Sequence, residues 1–204
     1  MTTARIGRIT GPQIPEPPNV ETPTRASLVE EPRIIETRLT RSDLSELRLP
    51  KLQIGDADLR DCNLSNVVAS DAAVRRAEFQ RCKLTGLQIR GGSISDVEFT
   101  DCRIDLAHID RVTFKRVTFR NCLLRESDFA QCGFDRVLFV DCDLSRVTFD
   151  RMRVAASEMR NCAMRDMRGM AQLRGIAMEW NDISSNAELL AAELGIRIAA
   201  PLDS

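Results

Sequence analysis

Seven cysteines and one histidine are the side chains of this 204-residue chain best suited to redox, metal or acid–base chemistry. Six of the cysteines recur every 20 residues: Cys62, Cys82, Cys102, Cys122, Cys142 and Cys162. Cys132 lies off that column. Thiols stacked along one line do not converge on a tetrahedral metal ion. A redox relay needs exposed thiolates of low pKa, whereas these positions are expected to be buried. Side chains pointing in parallel from adjacent rungs are also misdirected for a disulfide. The expected role of the column is packing, since free cysteine is among the most buried residue types. His108 precedes an apolar centre and is expected to point outward, with no Cys or Ser nucleophile placed beside it. Gly91-Gly92 reads as a turn rather than a phosphate loop. No Walker or dinucleotide fingerprint occurs. No catalytic residue, cofactor or metal is therefore expected, and the chain is not expected to be an enzyme.

Whatever these residues do, a repeat positions them. From Ile34 to Met164, every fifth residue is apolar, and only Ala69 is small. All eight Phe of the chain fall in this register. A Tyr hydroxyl at such an inward centre would lack a partner, and the chain has no Tyr. The residue two before each centre is mostly small, as at Ala57, Cys62, Ala72, Ala77, Cys82 and Gly92. A period of five is neither helical nor that of a flat strand. It also excludes a heptad coiled coil. The chain must turn once per five residues, and four turns close a square of 20 residues. The cysteine column and the ladder Phe79, Phe99, Phe119 and Phe139 both repeat at 20. With coils about 4.8 Å apart the rod is about 32 Å long.

Segments such as Ala57-Asp58-Leu59-Arg60-Asp61, Cys62-Asn63-Leu64-Ser65-Asn66 and Cys142-Asp143-Leu144-Ser145-Arg146 resemble the A(D/N)LXX unit of the pentapeptide-repeat proteins. The resemblance implies an all-β fold, a right-handed quadrilateral parallel β-helix, over residues 32–166, with a short C-terminal capping α-helix. Some proteins of that family bind DNA gyrase by imitating duplex DNA and confer fluoroquinolone resistance, using a strongly acidic rod. Here the rod holds 20 Arg and three Lys against 21 Asp and Glu. This near-neutral rod disfavours gyrase as partner and topoisomerase protection as function. The preferred reading is a rigid, non-catalytic rod that binds an unidentified protein partner.

The ends break the period. Residues 1–31 hold Pro12, Pro15, Pro17, Pro18 and Pro23 and read as an extended or disordered arm. The alternative is that the arm folds back over the first coil. Residues 167–204 read as a partial coil, a capping helix and a tail. Ser185 and Glu188 have the spacing of a capping box. Ala187, Leu190, Ala191 and Leu194 share a helical face, which either caps the rod or joins two copies as a homodimer. Gly195 suits the position past the helix end, and Ile196 to Ala199 are read as a short strand.

A net charge of -1 argues against both a polyanionic DNA mimic and a strongly basic DNA binder. Only Trp180 is aromatic outside the repeat register, which leaves little for base stacking, so direct nucleic-acid binding is not expected. Outward charges form columns of mixed sign, among them Arg76, Asp96, Arg116 and Arg136. Arg111, Lys115, Arg116, Arg136 and Arg151 are a candidate basic interaction patch around two neighbouring corners. No apolar run reaches the length of a signal-peptide core or membrane span, so a cytoplasmic protein without a membrane partner is expected. Arg strongly outnumbers Lys, a bias that fits a GC-rich bacterial genome such as an actinobacterial one.

Overall fold

The structure, a computed structural model, describes residues 23–197 and Ala199. The arm expected before residue 23, with Pro12 to Pro18, and the pairing expected of Ile198 lie outside the described residues.

One residue in five turns the chain. The residue two after each centre, from Glu36 to Asp166, has a positive φ in every repeat. A residue with a Cβ in this left-handed region costs about 1–2 kcal/mol, least for Asp and Asn. Asp56, Asp61, Asn66, Asp71, Asp96 and Asp101 accordingly occupy such corners. Burying the intervening Leu, Ile or Phe returns about 1.5–3 kcal/mol, so the pentapeptide is favourable as a unit.

Four corners return the chain over itself, and residue i pairs in parallel with residue i+20. Ile54 lies beside Val74, Ile89 beside Ile109, and Phe119 beside Phe139. The result is a parallel β-solenoid of about 7 turns with short helices at its C-terminus. Each face is named here for its first centre. The Leu49, Ile34 and Leu39 faces run as strands across their corners, longest in Val68–Gln80, Gln88–Thr100 and His108–Arg120. The Leu44 face closes with tight turns, in which the Leu87 amide donates to the Leu84 carbonyl and the Val147 amide to Leu144, both at 3.1 Å. The Asp or Asn before the centre supports these turns. Asn63 Oδ1 accepts from the Ser65 amide at 3.1 Å, and Asp143 Oδ1 from the Ser145 amide at 3.0 Å.

Every centre from Ile34 to Met164 is buried except Val154, which is half-buried. Phe79, Phe99, Phe119 and Phe139 stack face to face with centroids 4.8–5.0 Å apart. Phe114, Phe129 and Phe134 meet edge to face. Aromatics thus fill the C-terminal half, whereas smaller centres in the N-terminal half leave an apolar void of about 50 Å³ against Ala69, Ala72 and Val74. Ala69→Val should fill part of it and stabilise the rod by about 1 kcal/mol, at roughly 24 cal/mol per Å³ of cavity removed. Urea melts of the two proteins measure this, and a destabilised variant would show that the void cannot take the added methyls.

Both ends are covered, in ways the period does not encode. Part of the expected N-terminal arm is a helix, α1 (Arg25–Glu30), which corrects the extended reading for those residues. Its Leu28 is fully buried over the first coil, and the Arg25 guanidinium donates to the carbonyls of Asp43 and Ser45 at 3.2 and 2.9 Å. At the other end, Gly169 stands where the next centre would fall. The chain forms a 3-10 turn at Met170–Leu173 and returns as Ala177–Met178 beside Glu158 and Met159. Two helices follow, α2 (Trp180–Ser185) and α3 (Ala187–Glu193). Asp182 accepts from the Asn161 amide at 2.9 Å, and Glu193 from the Gly169 amide at 3.0 Å.

The expected capping box is not formed. Ser185 ends α2, and α3 begins after Asn186 without a side-chain cap. Gly195 does close α3 in the left-handed conformation, with the Ile196 amide donating to Ala191 at 2.8 Å. Ile196, Arg197 and Ala199 are not in a strand, contrary to expectation. No helix of the described residues is long and apolar enough to cross a membrane.

Candidate functional site

The inward small positions hold the cysteines, all seven of them buried and unpaired. Each rung from Cys62 to Cys142 points its thiol at a carbonyl of the preceding coil, as Cys102 Sγ does toward Phe79 O at 3.3 Å. Ser127 makes the same contact with Ile104 O at 2.8 Å. The column is therefore a corner-filling device that serves a thiol or a hydroxyl alike. Burial pushes the Cys132 thiol up to about 11, which opposes nucleophilic or metal-binding thiolate. Among the described residues no group of His, Cys, Asp and Glu converges as a metal site.

His108 projects outward and its Nδ1 meets Asp128 Oδ2 at 3.0 Å. Gly91 and Gly92 form a corner, both at positive φ. In the coils on either side Ala72 and Val112 occupy the place of Gly92, which marks a local turn rather than a ligand loop.

In several outward columns a carboxylate on one coil receives a donor from the next. Arg76 binds Asp56 through two bonds of 2.5 Å. Arg81 binds Asp61 at 2.7 and 2.9 Å, and Arg116 chelates Asp96 in the same way. Asn121 and Asn161 donate to Asp101 and Asp141 at 2.6 and 2.7 Å. Hydrogen bonds from the arginines hold Asp56, Asp61 and Asp96 below the ordinary carboxylate range. Solvent screens such exposed pairs, so they add little to stability. They set surface charge more than stability.

The Leu39 face carries an acidic ladder, Asp58, Glu78 and Glu98. Asp58 is buried and accepts from Arg38 and Arg60 at 3.0 and 2.9 Å. Glu78 has no such partner. Burial, then the flanking Asp58 and Glu98, raise its pKa. Its proton is held more tightly folded than unfolded, so the charged form opposes folding, and stability falls as pH rises through the folded-state value. Glu78→Gln should gain a few tenths of a kcal/mol at pH 7, a figure already reduced for solvent screening. The gain should vanish below the unfolded-state pKa, near pH 4. Urea melts at both pH values test the sign.

Four of the five residues of the expected basic patch lie on the two corners that flank the Ile34 face, and Lys115 lies on that face between them. Four of them are occupied. Arg111 pairs with Asp110 at 3.3 Å, Arg136 with Asp135 at 3.2 Å, Arg151 with Asp150 at 2.8 Å, and Arg116 with Asp96. Lys115 alone of the five has no ion-pair partner among the described residues. The C-terminal set is also divided. Leu190 packs against the core together with Leu189, whereas Ala187 and Leu194 are exposed and Ala191 is half-buried.

Several solved structures show likeness to the chain, among them the following three. QnrB1, described as a plasmid-mediated fluoroquinolone resistance protein, is 18% identical in one form with a TM-score of 0.41, covering 82% of this chain and 92% of that one. The pentapeptide repeat protein Rfr23 of the cyanobacterium Cyanothece is 8% identical with a TM-score of 0.30, covering 65% and 87%. HetL of the cyanobacterium Nostoc, a pentapeptide repeat protein involved in heterocyst differentiation regulation, is 11% identical with a TM-score of 0.23, covering 71% and 86%. Among curated proteins nothing matches. The family model for the pentapeptide repeat region matches residues 33–109 and 112–185. Matched over most of its length and built on one left-handed corner per five residues, the chain belongs to the pentapeptide repeat family.

Proposed function

We propose that this protein is a non-catalytic, cytoplasmic interaction rod that presents side-chain columns to a protein partner. One observation carries the reading. The interior is packed and both ends are covered, by Leu28 at one and by α2 and α3 at the other, so the ordered outer columns are what the fold offers. Rods of this kind are stiff because each coil is held by its neighbours, which preorganises any surface they bear. Affinity capture with the purified full chain, followed by reconstitution with the purified candidate, tests the reading. A partner that rebinds supports it; none rebinding overturns it.

The columns do not favour imitation of DNA for gyrase. The corner carboxylates Asp56, Asp61 and Asp96 are matched by arginines one coil on, and the acidic ladder of the Leu39 face runs beside Arg60, Arg120 and Arg160. A supercoiling assay showing gyrase inhibited by the purified rod would reverse this view. Self-association has its own observation, the exposed Leu194 and Ile196 past the end of α3. Sedimentation of the full chain measures it, and a monomer at all concentrations removes it.

A further inference from the structure

The four faces differ in charge balance. On the Ile34 face the outward cations are Arg33, Arg75, Lys115 and Arg153, against Asp135 alone. Arg33 is held by Glu31 at 3.0 Å. Arg75, Lys115 and Arg153 are exposed, and no carboxylate of the described residues forms an ion pair with them. Unpaired cations such as Arg48, Lys83 and Arg165 occur elsewhere among the described residues, but on this face four outward cations face a single outward carboxylate. The side chains around them are short: Ala73, Ser93, Ser95, Thr113, Gly133 and Ala155. A shallow hollow of about 230 Å³ opens at Gly133, bordered by Thr113, Asp135 and Arg153.

We infer that the Ile34 face docks an extended acidic segment of a partner protein, with its carboxylates on Arg75, Lys115 and Arg153. This rests on the interaction-rod reading and names its surface. Arg75 and Lys115 hold the same place in coils two apart, about 9.6 Å along the axis at the sheet spacing. Arg153 lies two coils beyond Lys115, two residues across the strand from that column, where Ala155 holds the place in register. A polyproline II strand brings every third residue to one side at about 9.3 Å. An acidic residue at every third position therefore meets Arg75 and then Lys115 while the strand runs along the rod, with Arg153 to one side of the place that follows. The short side chains let its backbone lie close. A nucleic acid fits less well, because the face offers no aromatic for a base and few charges for phosphates.

The test uses a labelled peptide of four Glu-Pro-Pro repeats and the full-length protein, with binding followed by fluorescence anisotropy at low salt. The variant Arg75→Gln/Lys115→Gln/Arg153→Gln should lose at least tenfold in affinity. The charge-matched variant Lys83→Gln/Arg90→Gln/Arg165→Gln, drawn from other faces, should stay within about twofold of the wild type. A peptide with its glutamates made contiguous should bind more weakly than the repeat. Equal loss in both variants would show general charge attraction and overturn the face. Tighter binding of a twelve-nucleotide thymidine strand, lost in the first variant alone, would assign the face to phosphates and overturn the acidic segment. Failure of the whole reading is seen separately: a captured partner that holds wild type and the first variant alike keeps the rod as an interaction module and removes this face from it.

Discussion

Phe119→Ala is expected to cost about 3–5 kcal/mol, the range for truncating a buried aromatic. Phe119 is 3% exposed in the middle of the rod. Its ring lies between Phe99 at 5.0 Å and Phe139 at 4.9 Å, with interplanar angles of 5° and 6°. Each stacked pair contributes about 0.5–1.5 kcal/mol beyond area burial, and the truncation removes both. The space cannot collapse easily, because the coils are held apart at a fixed pitch by backbone hydrogen bonds. It would also merge with the void already present in the N-terminal half, which Phe119 borders. Phe119→Leu, which keeps most of the volume, should lose clearly less than alanine. Equilibrium urea melts give both values. A loss under 1 kcal/mol for alanine would show that the column is not what holds the middle coils.

The second large effect lies at the C-terminal end. Gly169→Ala should destabilise by about 3 kcal/mol, from a left-handed backbone and an overpacked contact together. Gly169 has φ of 79°, and a Cβ there would stand 2.0 Å from the Phe149 carbonyl oxygen. The obstacle is backbone in the coil below, so no side chain can swing aside. Movement would pull the Gly169 amide from Glu193 and with it the tie between α3 and the last coil. Gly175 is the control. Its φ is 91° but a Cβ would meet nothing within 4 Å, so Gly175→Ala should show the conformational cost alone, about 1–2 kcal/mol. Equal losses at the two sites would mean that the clash at Gly169 is relieved without cost. Amide exchange across Met170–Leu173 would report the loosened cap directly.

The pentapeptide register was legible from residue types alone because an inward centre tolerates little else. A polar residue at Phe114 or Leu124 would be buried without a partner, so the apolar period persists without a gap. The buried cysteine column followed from the same argument. The device that makes the period five was less visible. Its trace is the recurrence of Asp, Asn and Gly two places after the centre, a weak signal since Arg81, Leu106 and Arg116 adopt the same backbone. The caps were legible only in part because they obey no period: a helix at the C-terminal end was expected, its exact start was not. Leu28 and Arg25 sit in a proline-rich stretch whose composition reads as a tail, yet what holds them is contact with the first coil. Ser185 and Glu188 have the spacing of a capping box, but the turn into α3 starts one residue later.

The sequence by itself determined the coil, its pitch of 20 residues and the inward set, because burial of one residue in five outweighs the cost of each corner. Tertiary structure decided what the surface is. An outward arginine is free or neutral according to which carboxylate, on its own coil or on the next, lies within its reach. Arg111, Arg116, Arg136 and Arg151 look alike in sequence to Arg75 and Arg153, yet the first four are bound by aspartates and the last two are not. Charge on a solenoid depends on neighbours in the chain and on neighbours 20 residues away, and only the folded coils show which of them pair.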